Sequence, residues 1–460
     1  MELKLSEVLE DNENKRFDPE FFNKTAQAAY VRLKHQRRFG DLVKSGYRVI
    51  YENTNAITRN NGITAGLPFF LQAADIQTPF ISDEEMICVS QADWVRYPKG
   101  RVIPGEILIE VKGKAEKVAI VSENFPKNTL VTGTLYKMLI RDELDKYLLI
   151  AYLTCRYGQA LKNRLKTNLL VSFISKADLF NLPVPDFDTP LKKAIKQSFL
   201  SAEYKHGQSR SLLKQAEQTL LSALGLEGWQ PPEPLTYTRR SSEVFAANRL
   251  DSEFFQPKYE SLLDALSENF ELLTLDQIGK VTKGITVPYS EEGTVPIIRS
   301  GDLSDLGDDG KFLRSPSDIP LFKLHRGDVL ISSIGFGSIG KVQVFDKLGT
   351  FGTVSEVTVI RQKRLNSYYL HFYLRSIAGQ LQIERFITGA TGQLHLYPKD
   401  VSKFFVPVIP ETEQAKLEEL AKSTEVARRE ARELLERAKR AVEIAIEDSE
   451  TAALAHLIGD

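Results

Sequence analysis

Arg16-Phe-Asp-Pro-Glu-Phe-Phe22 reappears later in the chain as Arg249-Leu-Asp-Ser-Glu-Phe-Phe255. Reading outward from this pair, the correspondence continues in order. Leu67-Pro-Phe-Phe-Leu-Gln-Ala-Ala-Asp-Ile76 matches Val295-Pro-Ile-Ile-Arg-Ser-Gly-Asp-Leu303, and Pro104-Gly-Glu-Ile-Leu-Ile109 matches Arg326-Gly-Asp-Val-Leu-Ile331. Tyr147-Leu-Leu-Ile-Ala-Tyr-Leu153, ending at Gly158-Gln159, matches Tyr368-Tyr-Leu-His-Phe-Tyr-Leu374, ending at Gly379-Gln380. Asp178 falls on Asp400, and Val184-Pro185 on Val406-Pro407. Colinear matches at a nearly constant offset are the mark of a duplicated domain, and an internal repeat fixes architecture before any single motif does.

Within each copy the pattern is α+β. A short amphipathic segment at the Arg-x-Asp is followed by β-type runs punctuated by Gly and Pro. Val329–Ile334, Lys341–Phe345 and Ser355–Ile360 alternate as strands, and one helix is expected from Tyr368 to Arg385. A long helix follows each Val-Pro. Leu417, Leu420, Thr424, Ala427, Ala431, Leu434, Ala438, Ala441 and Ala445 step by three and four, as do Ile195, Phe199, Ala202, Ser209, Leu213, Ala216, Leu220 and Ala223, with His206 intruding. Small residues on both seams let two backbones approach, so the helices are expected to pair as an antiparallel coiled coil roughly 50 Å long. Two amphipathic helices lying separately on their own domains are the alternative. The expected division is one domain at 1–187, a helix at 188–226, a linker and second domain at 227–410, a helix at 411–450 and a tail at 451–460, with pseudo-twofold symmetry. Gly228, Pro231, Pro232 and Pro234 mark the linker.

A chain of 460 residues with 42% hydrophobic content is long enough for two buried cores. Only two cysteines occur, Cys88 and Cys155, with no His or Asp clusters at ligand spacing. Neither a disulfide framework nor a zinc site is expected, and a reducing cytoplasm fits. Charges at the N-terminus exclude a signal peptide, and the apolar runs are too short to span a bilayer. The net charge of −1 does not announce a nucleic-acid binder. Local asymmetry does more: from Lys146 to Lys176 six basic residues occur without an acid, while the segment after Pro410 is dense in Glu.

Gly335-Phe-Gly-Ser-Ile-Gly-Lys341 has the spacing of a dinucleotide loop and nearly that of a P-loop. Both need a helix N-terminus behind the glycines, whereas Lys341-Val-Gln-Val-Phe345 alternates like a strand and position 342 is Val. A glycine-rich β-turn is the better reading. Pro185, Asp186, Asp188 and Lys192 superficially form a nuclease-like set, but they crowd a strand-to-helix junction where Asp188 reads as a cap. The histidines lack partners, so no catalytic residue is assigned.

The two copies agree in framework and diverge in loops rich in hydrogen-bonding side chains. The first offers Arg59, Asn60, Asn61, Gln72, Lys112, Lys114, Lys117, Lys166 and Asn168; the second offers Lys283, Thr286, Arg299, Ser300, Lys341, Thr391, Gln393 and His395. Such side chains read base edges and hold phosphates when loops present them to a duplex. For any one of them, an ordinary solvated loop residue is the bland alternative.

Taken together, the two copies, the Thr388–Gln393 loop leading to Asp400, and Val406-Pro-Val-Ile-Pro410 running into Glu413-Gln414 and Leu417 resemble the specificity subunit of type I restriction-modification systems. The resemblance covers essentially the whole chain. It implies two target recognition domains, each reading half of a split DNA sequence, and paired helices that set the gap and dock two methyltransferase subunits, with restriction subunits joining the larger complex. S-adenosylmethionine, ATP and Mg are implied for those partners, and no cofactor for this chain. Two departures stand out: the first copy has Thr167-Asn-Leu-Leu-Val-Ser172 where the second has its Gly-rich loop, and Lys192 stands at the position of Gln414. The first long helix is net basic and the second net acidic, so complementary charge is expected to aid their pairing. The rival readings are a specificity partner from another restriction-modification class and a scaffold whose coil joins proteins without DNA.

Overall fold

Gly105 and Gly327 both sit in the left-handed region, at φ 82° and 88°, and each opens a fully buried strand. A side chain would be strained there, which is why both copies keep Gly in the turn. The computed structural model describes residues 16–459, apart from 20, 49–53, 55, 58–65, 83–85, 168–170, 305, 307–311, 336 and 390–393. It divides into a first unit, 1–205 with 430–460, and a second, 206–429.

In the first unit, Lys24–Leu33 (α1) starts on the Asn23 side chain, which accepts from the Thr25 and Ala26 amides, and it buries Ala26, Ala29 and Leu33. Val43–Arg48 (β1), Ile107–Glu110 (β4), Val118–Ile120 (β5) and Leu135–Ile140 (β7) form an antiparallel sheet in the order β1-β7-β4-β5. Phe69–Leu71 (β2) pairs antiparallel with Ile87–Cys88 (β3) and parallel with Thr129–Val131 (β6). Glu143–Thr154 (α2) and Arg156–Leu165 (α3) follow. Seven consecutive residues of α2, Tyr147 to Leu153, are buried, so this helix forms the centre of the core.

The second unit repeats this plan. Pro257–Ser267 (α5) corresponds to α1. Gly279–Lys283 (β8), Asp328–Ser332 (β12), Val342–Phe345 (β13) and Val357–Gln362 (β15) form an antiparallel sheet ordered β8-β15-β12-β13. Val295–Ile298 (β9), Arg314–Ser315 (β10), Phe322–Lys323 (β11) and Gly352–Thr353 (β14) form the other sheet, with β9 parallel to β14 as β2 is to β6. The identical strand order of β1-β7-β4-β5 and β8-β15-β12-β13 is what the sequence repeat requires.

The single helix expected from Tyr368 to Arg385 is two helices, Ser367–Arg375 (α6) and Ile377–Phe386 (α7). Ser376 turns to an extended conformation (φ −68°, ψ 169°), and Cys155 does the same between α2 and α3 (φ −74°, ψ 168°). The corner is a tight one. A Cβ on Gly379 would lie 2.3 Å from Leu374 Cα, and one on Gly158 would lie 2.0 Å from the Tyr152 carbonyl oxygen. Behind each glycine, the glutamine amide donates to the end of the previous helix, Gln159 Nε2 to Leu153 O at 2.7 Å and Gln380 Nε2 to Leu374 O at 2.8 Å. The repeated Gly-Gln is thus a helix corner.

The two long helices are Thr189–Ala223 (α4) and Glu411–Glu447 (α8). In the first unit Leu191, Ile195, Phe199 and Ala202 share a core with Leu435, Ala438, Ala441 and Val442. The Asp188 amide donates to Glu450 Oε2 at 2.7 Å, and Lys205 pairs with Glu430 at 2.6 Å. Early residues of α4 therefore meet late residues of α8, and the helices run antiparallel. In the second unit Leu213, Ala216 and Leu220 share the core with Leu417 and Leu420. Most of the expected seam is buried, and Ala223, Leu420, Leu434 and Ala445 are half-buried. Residues 451–460, expected as a tail, instead hold the helix Glu450–Ile458 (α9), which Ser449 caps and which buries Ala453 and Leu457 in the first core.

The basic run from Lys146 to Lys176 does not make one basic face. Lys162 and Arg164 are buried, and Arg156 pairs with Glu443 and Glu447. No described helix is long and apolar enough to cross a membrane.

Candidate nucleic-acid interface

The first unit's candidates gather on the turn between β4 and β5. Gly113 (φ 93°) and Ala115 (φ 54°) both take left-handed conformations, bending the chain sharply. The turn is held from inside. Glu110 Oε2 accepts from the amides of Glu116 and Lys117 at 3.0 and 3.2 Å, and the Gly113 amide donates to Ser172 O at 2.9 Å. Gln159 Nε2 and Lys162 Nζ both donate to Glu116 O, at 3.0 and 2.9 Å. With its backbone anchored this way, the turn presents Lys112 and Lys114 as exposed side chains.

Lys112 bridges to Phe173, whose carbonyl accepts from the Thr167 amide, so the segment bearing Lys166 runs alongside. Lys166 is half-buried and its pKa is lowered, first by burial; Lys114 adds to the lowering, against Glu116 and Glu110. The two ammonium groups therefore feel one another, with Glu116 and Glu110 close enough to offset them. Lys117 behaves differently. Its Nζ donates to Ala73 O at 2.6 Å, tying the β4–β5 turn to the 3-10 turn Ala73–Asp75, so it braces the loop. Gln72 opens that 3-10 turn and is half-buried, with its amide on Asp75 Oδ2 at 2.7 Å.

Lys162 is almost entirely buried, and burial pulls its pKa down to about 7, with Glu110 acting in the opposite direction. Sequence reading missed it. It belongs to the basic run, but nothing in that run distinguishes a lysine pointing inward.

In the second unit several loops converge. Ser333 links them: its amide donates to Glu356 O at 2.8 Å and its carbonyl accepts from the Leu396 amide at 2.9 Å. Thr286 Oγ1 lies 2.9 Å from Ser355 Oγ, and both Thr286 and Lys283 are exposed. Lys341 reaches Ser304 at 3.1 Å. Arg299 pairs with Asp302 at 3.3 Å, the main cause of its raised pKa, and it stays partly exposed. His395 pairs with Thr388 through both backbone bonds, bridges to Ile334, and stacks on Tyr397 with ring centres 5.9 Å apart. Ser300 is a correction: it is 5% exposed and its hydroxyl donates to Glu356 O at 3.1 Å, so it bonds the loops to each other and has no free face. Arg59, Asn60, Asn61, Asn168, Thr391 and Gln393 lie outside the described residues.

The glycine-rich loop behaves as a β-turn. Gly335, Gly337 and Gly340 have φ of 104°, 81° and 82°, and β13 follows them where a phosphate site needs a helix. The acidic set at the first strand-to-helix junction is an ion-pair network. Asp186 pairs with Lys192 at 2.5 Å and Arg37 at 3.2 Å, and Asp145 with Arg37 at 2.7 Å and Lys192 at 2.9 Å. Among the described residues, no group of three or more His, Cys, Asp and Glu could hold a metal ion.

No family model and no curated protein matches this sequence. Among solved structures, the chain is similar to the type I restriction-modification system S subunit from M. genitalium, over 92% of this chain and 96% of that one, at 14% identity and a TM-score of 0.36. An HsdS subunit from Thermoanaerobacter tengcongensis aligns over 90% and 96%, at 16% identity and a TM-score of 0.27. A structure described as bearing on complex assembly and conformational transition of the type I R-M system aligns over 90% and 96%, at 15% identity and a TM-score of 0.28.

Proposed function

We propose that this chain is the DNA-reading specificity subunit of a type I restriction-modification complex. Each unit takes one half of a split duplex target, α4 and α8 fix the gap between the halves, and two methyltransferase subunits dock on the chain. It is itself non-catalytic and works in the cytoplasm. Methyl transfer and ATP-driven cleavage belong to partners, which bring S-adenosylmethionine, ATP and Mg.

One observation carries this reading. The two units share strand order, helix corners and glycine turns closed by a buried acid, while the polar loops at corresponding places differ in sequence. Selection for one fold with two ligands produces that pattern; a duplicated scaffold for one protein partner has no reason to diverge in those loops. Backbone-anchored loops with exposed lysines suit phosphate contact, and nearby Thr, Gln and His side chains suit base edges.

The test is an exchange of 235–410 for another recognition unit, with methylated adenines mapped in DNA co-expressed with the chain and its methyltransferase partner. One half of the recognised sequence should change and the other should persist. Alteration of both halves would defeat the modular reading.

A further inference from the structure

Arg164 and Arg385 occupy the same place in α3 and α7, yet they have different surroundings. In the first unit the Arg164 guanidinium lies 4.1 Å from the Phe21 ring and 4.0 Å from the Tyr30 ring, and its Nε donates to Phe21 O at 3.2 Å. In the register that sets Arg16 on Arg249, Phe21 becomes Phe254, Ala26 becomes Tyr259 and Tyr30 becomes Leu263. Loss of the Tyr30 ring leaves a cavity of about 350 Å³ against α5 and α7, lined by Phe254, Tyr259, Leu262, Leu263, Arg385 and Phe386 among others. That volume lies at the lower end of the roughly 300–1,000 Å³ of small-molecule sites.

The cavity is apolar apart from a few groups, and two of those are unsatisfied. Arg385 Nε and the Tyr259 hydroxyl are both buried without a hydrogen-bond partner. Tyr259 is 3% exposed, and the Arg385 guanidinium carbon lies 5.6 Å from its ring centre and 4.6 Å from that of Phe254. The acids nearby are already engaged: Asp276, which lines the cavity, accepts from the Thr274 hydroxyl, while Glu260 pairs with Arg239 at 2.5 Å, Glu384 with Lys258 at 2.8 Å, and Asp400 with Lys403 at 3.1 Å. Buried donors without acceptors are costly. A carboxylate would satisfy both groups, and the surrounding rings would take an apolar body.

We propose that this cavity binds a small organic carboxylate with a ring-sized apolar body, its oxygens accepting from the Arg385 guanidinium and the Tyr259 hydroxyl. The first unit lacks such a site because Tyr30 fills the space and a backbone carbonyl satisfies its arginine. Nothing in this proposal depends on DNA reading.

Isothermal titration of the full-length chain with benzoate, and with benzamide as the uncharged isostere, tests it. Benzoate should bind at one site, at least tenfold more tightly than benzamide. Arg385→Gln should weaken benzoate by tenfold or more, and Leu263→Tyr, which copies the first unit, should abolish binding. Should Arg385→Gln fail to fold, Leu263→Tyr and the benzamide comparison decide. No benzoate binding by the unaltered chain, equal affinity for benzamide, or undiminished binding by Leu263→Tyr would each overturn the proposal.

Discussion

Lys137 Nζ lies 2.7 Å from Glu106 Oε1, both side chains buried, beneath the glycine turn that opens β4. Arg361 and Asp328 repeat the pair at 2.7 Å beneath the corresponding turn ahead of β12. In both copies the acid also closes its own turn, accepting from the Ile103 amide at 2.8 Å in one and the His325 amide at 2.8 Å in the other. Removing one partner of a buried pair strands the other charge, at a cost of about 3–5 kcal/mol, whereas replacing both with apolar groups costs far less. Lys137→Met should therefore destabilise the first unit by about that amount, and Lys137→Met with Glu106→Leu should recover much of the loss. The two tryptophans make this measurable: Trp94 lies in the first unit and Trp229 packs on the second core. In denaturant titrations of Trp94→Phe and Trp229→Phe backgrounds, only the transition reported by Trp94 should move. Equal movement of both would show that the pair is not local to its unit.

The helix corners should tolerate no side chain. Gly158→Ala and Gly379→Ala each drive a methyl into fixed backbone, and overpacking of this kind costs about 1–3 kcal/mol or more. Each substitution should lower the midpoint of its own unit's transition. A neutral Gly379→Ala would mean that α6 and α7 can straighten into the continuous helix suggested by the sequence pattern.

That corner also shows what the sequence could and could not reveal. Framework residues were legible because both copies use the same chemistry at the same place: Arg16 with Asp18 at 2.6 Å, Arg249 with Asp251 at 2.5 Å. The seam of α4 and α8 was legible because burial there follows a regular period. The break at Ser376 was not, because apolar residues continue through it and the bend arises from a close approach of backbones. Ser300, Lys117 and Lys162 were hidden for a related reason: a polar side chain bound to a backbone carbonyl looks, in sequence, like one offered to solvent. The α9 helix has a visible cap in Ser449 and apolar residues at Ala453 and Leu457, signals that the reading of 451–460 as a tail did not use.

Lys162 sets a pH dependence. Its folded pKa is lowered to about 7 against an unfolded value near 10.4, so between these values the unfolded chain holds more protons than the folded one. Stability should therefore rise with pH across that window, and the penalty of the buried charge should be fully present below pH 7. Lys162→Met should stabilise the first unit on the acidic side by a few kcal/mol at most, a tenfold change in proton affinity being worth about 1.4 kcal/mol. The gain should shrink as pH approaches 10. A gain that stayed constant with pH would show that Lys162 is not the titrating group. Loosening of the β4–β5 turn works against the gain, since Glu116 O would keep only its Gln159 bond.

If the β4–β5 turn meets DNA, its lysines should separate by their bonding. Lys112 and Lys114 are exposed on a fixed backbone, while Lys117 is committed to Ala73 O and Ser300 in the other unit is buried. In complexes assembled with methyltransferase subunits, Lys112→Ala and Lys114→Ala should each reduce the slope of log K against log salt by about 1 and weaken binding alike for all target sequences. Ser300→Ala removes a hydrogen bond between loops without removing a charge, so it should lower second-unit stability by about 1 kcal/mol and leave the salt slope unchanged. Lys117→Ala should mainly loosen the loop, seen as faster amide exchange at Glu116 and Lys117. The informative comparison is the double variant Lys112→Ala, Lys114→Ala: a slope unchanged from the unaltered complex would mean that this turn does not face the phosphates, whatever else in the chain does.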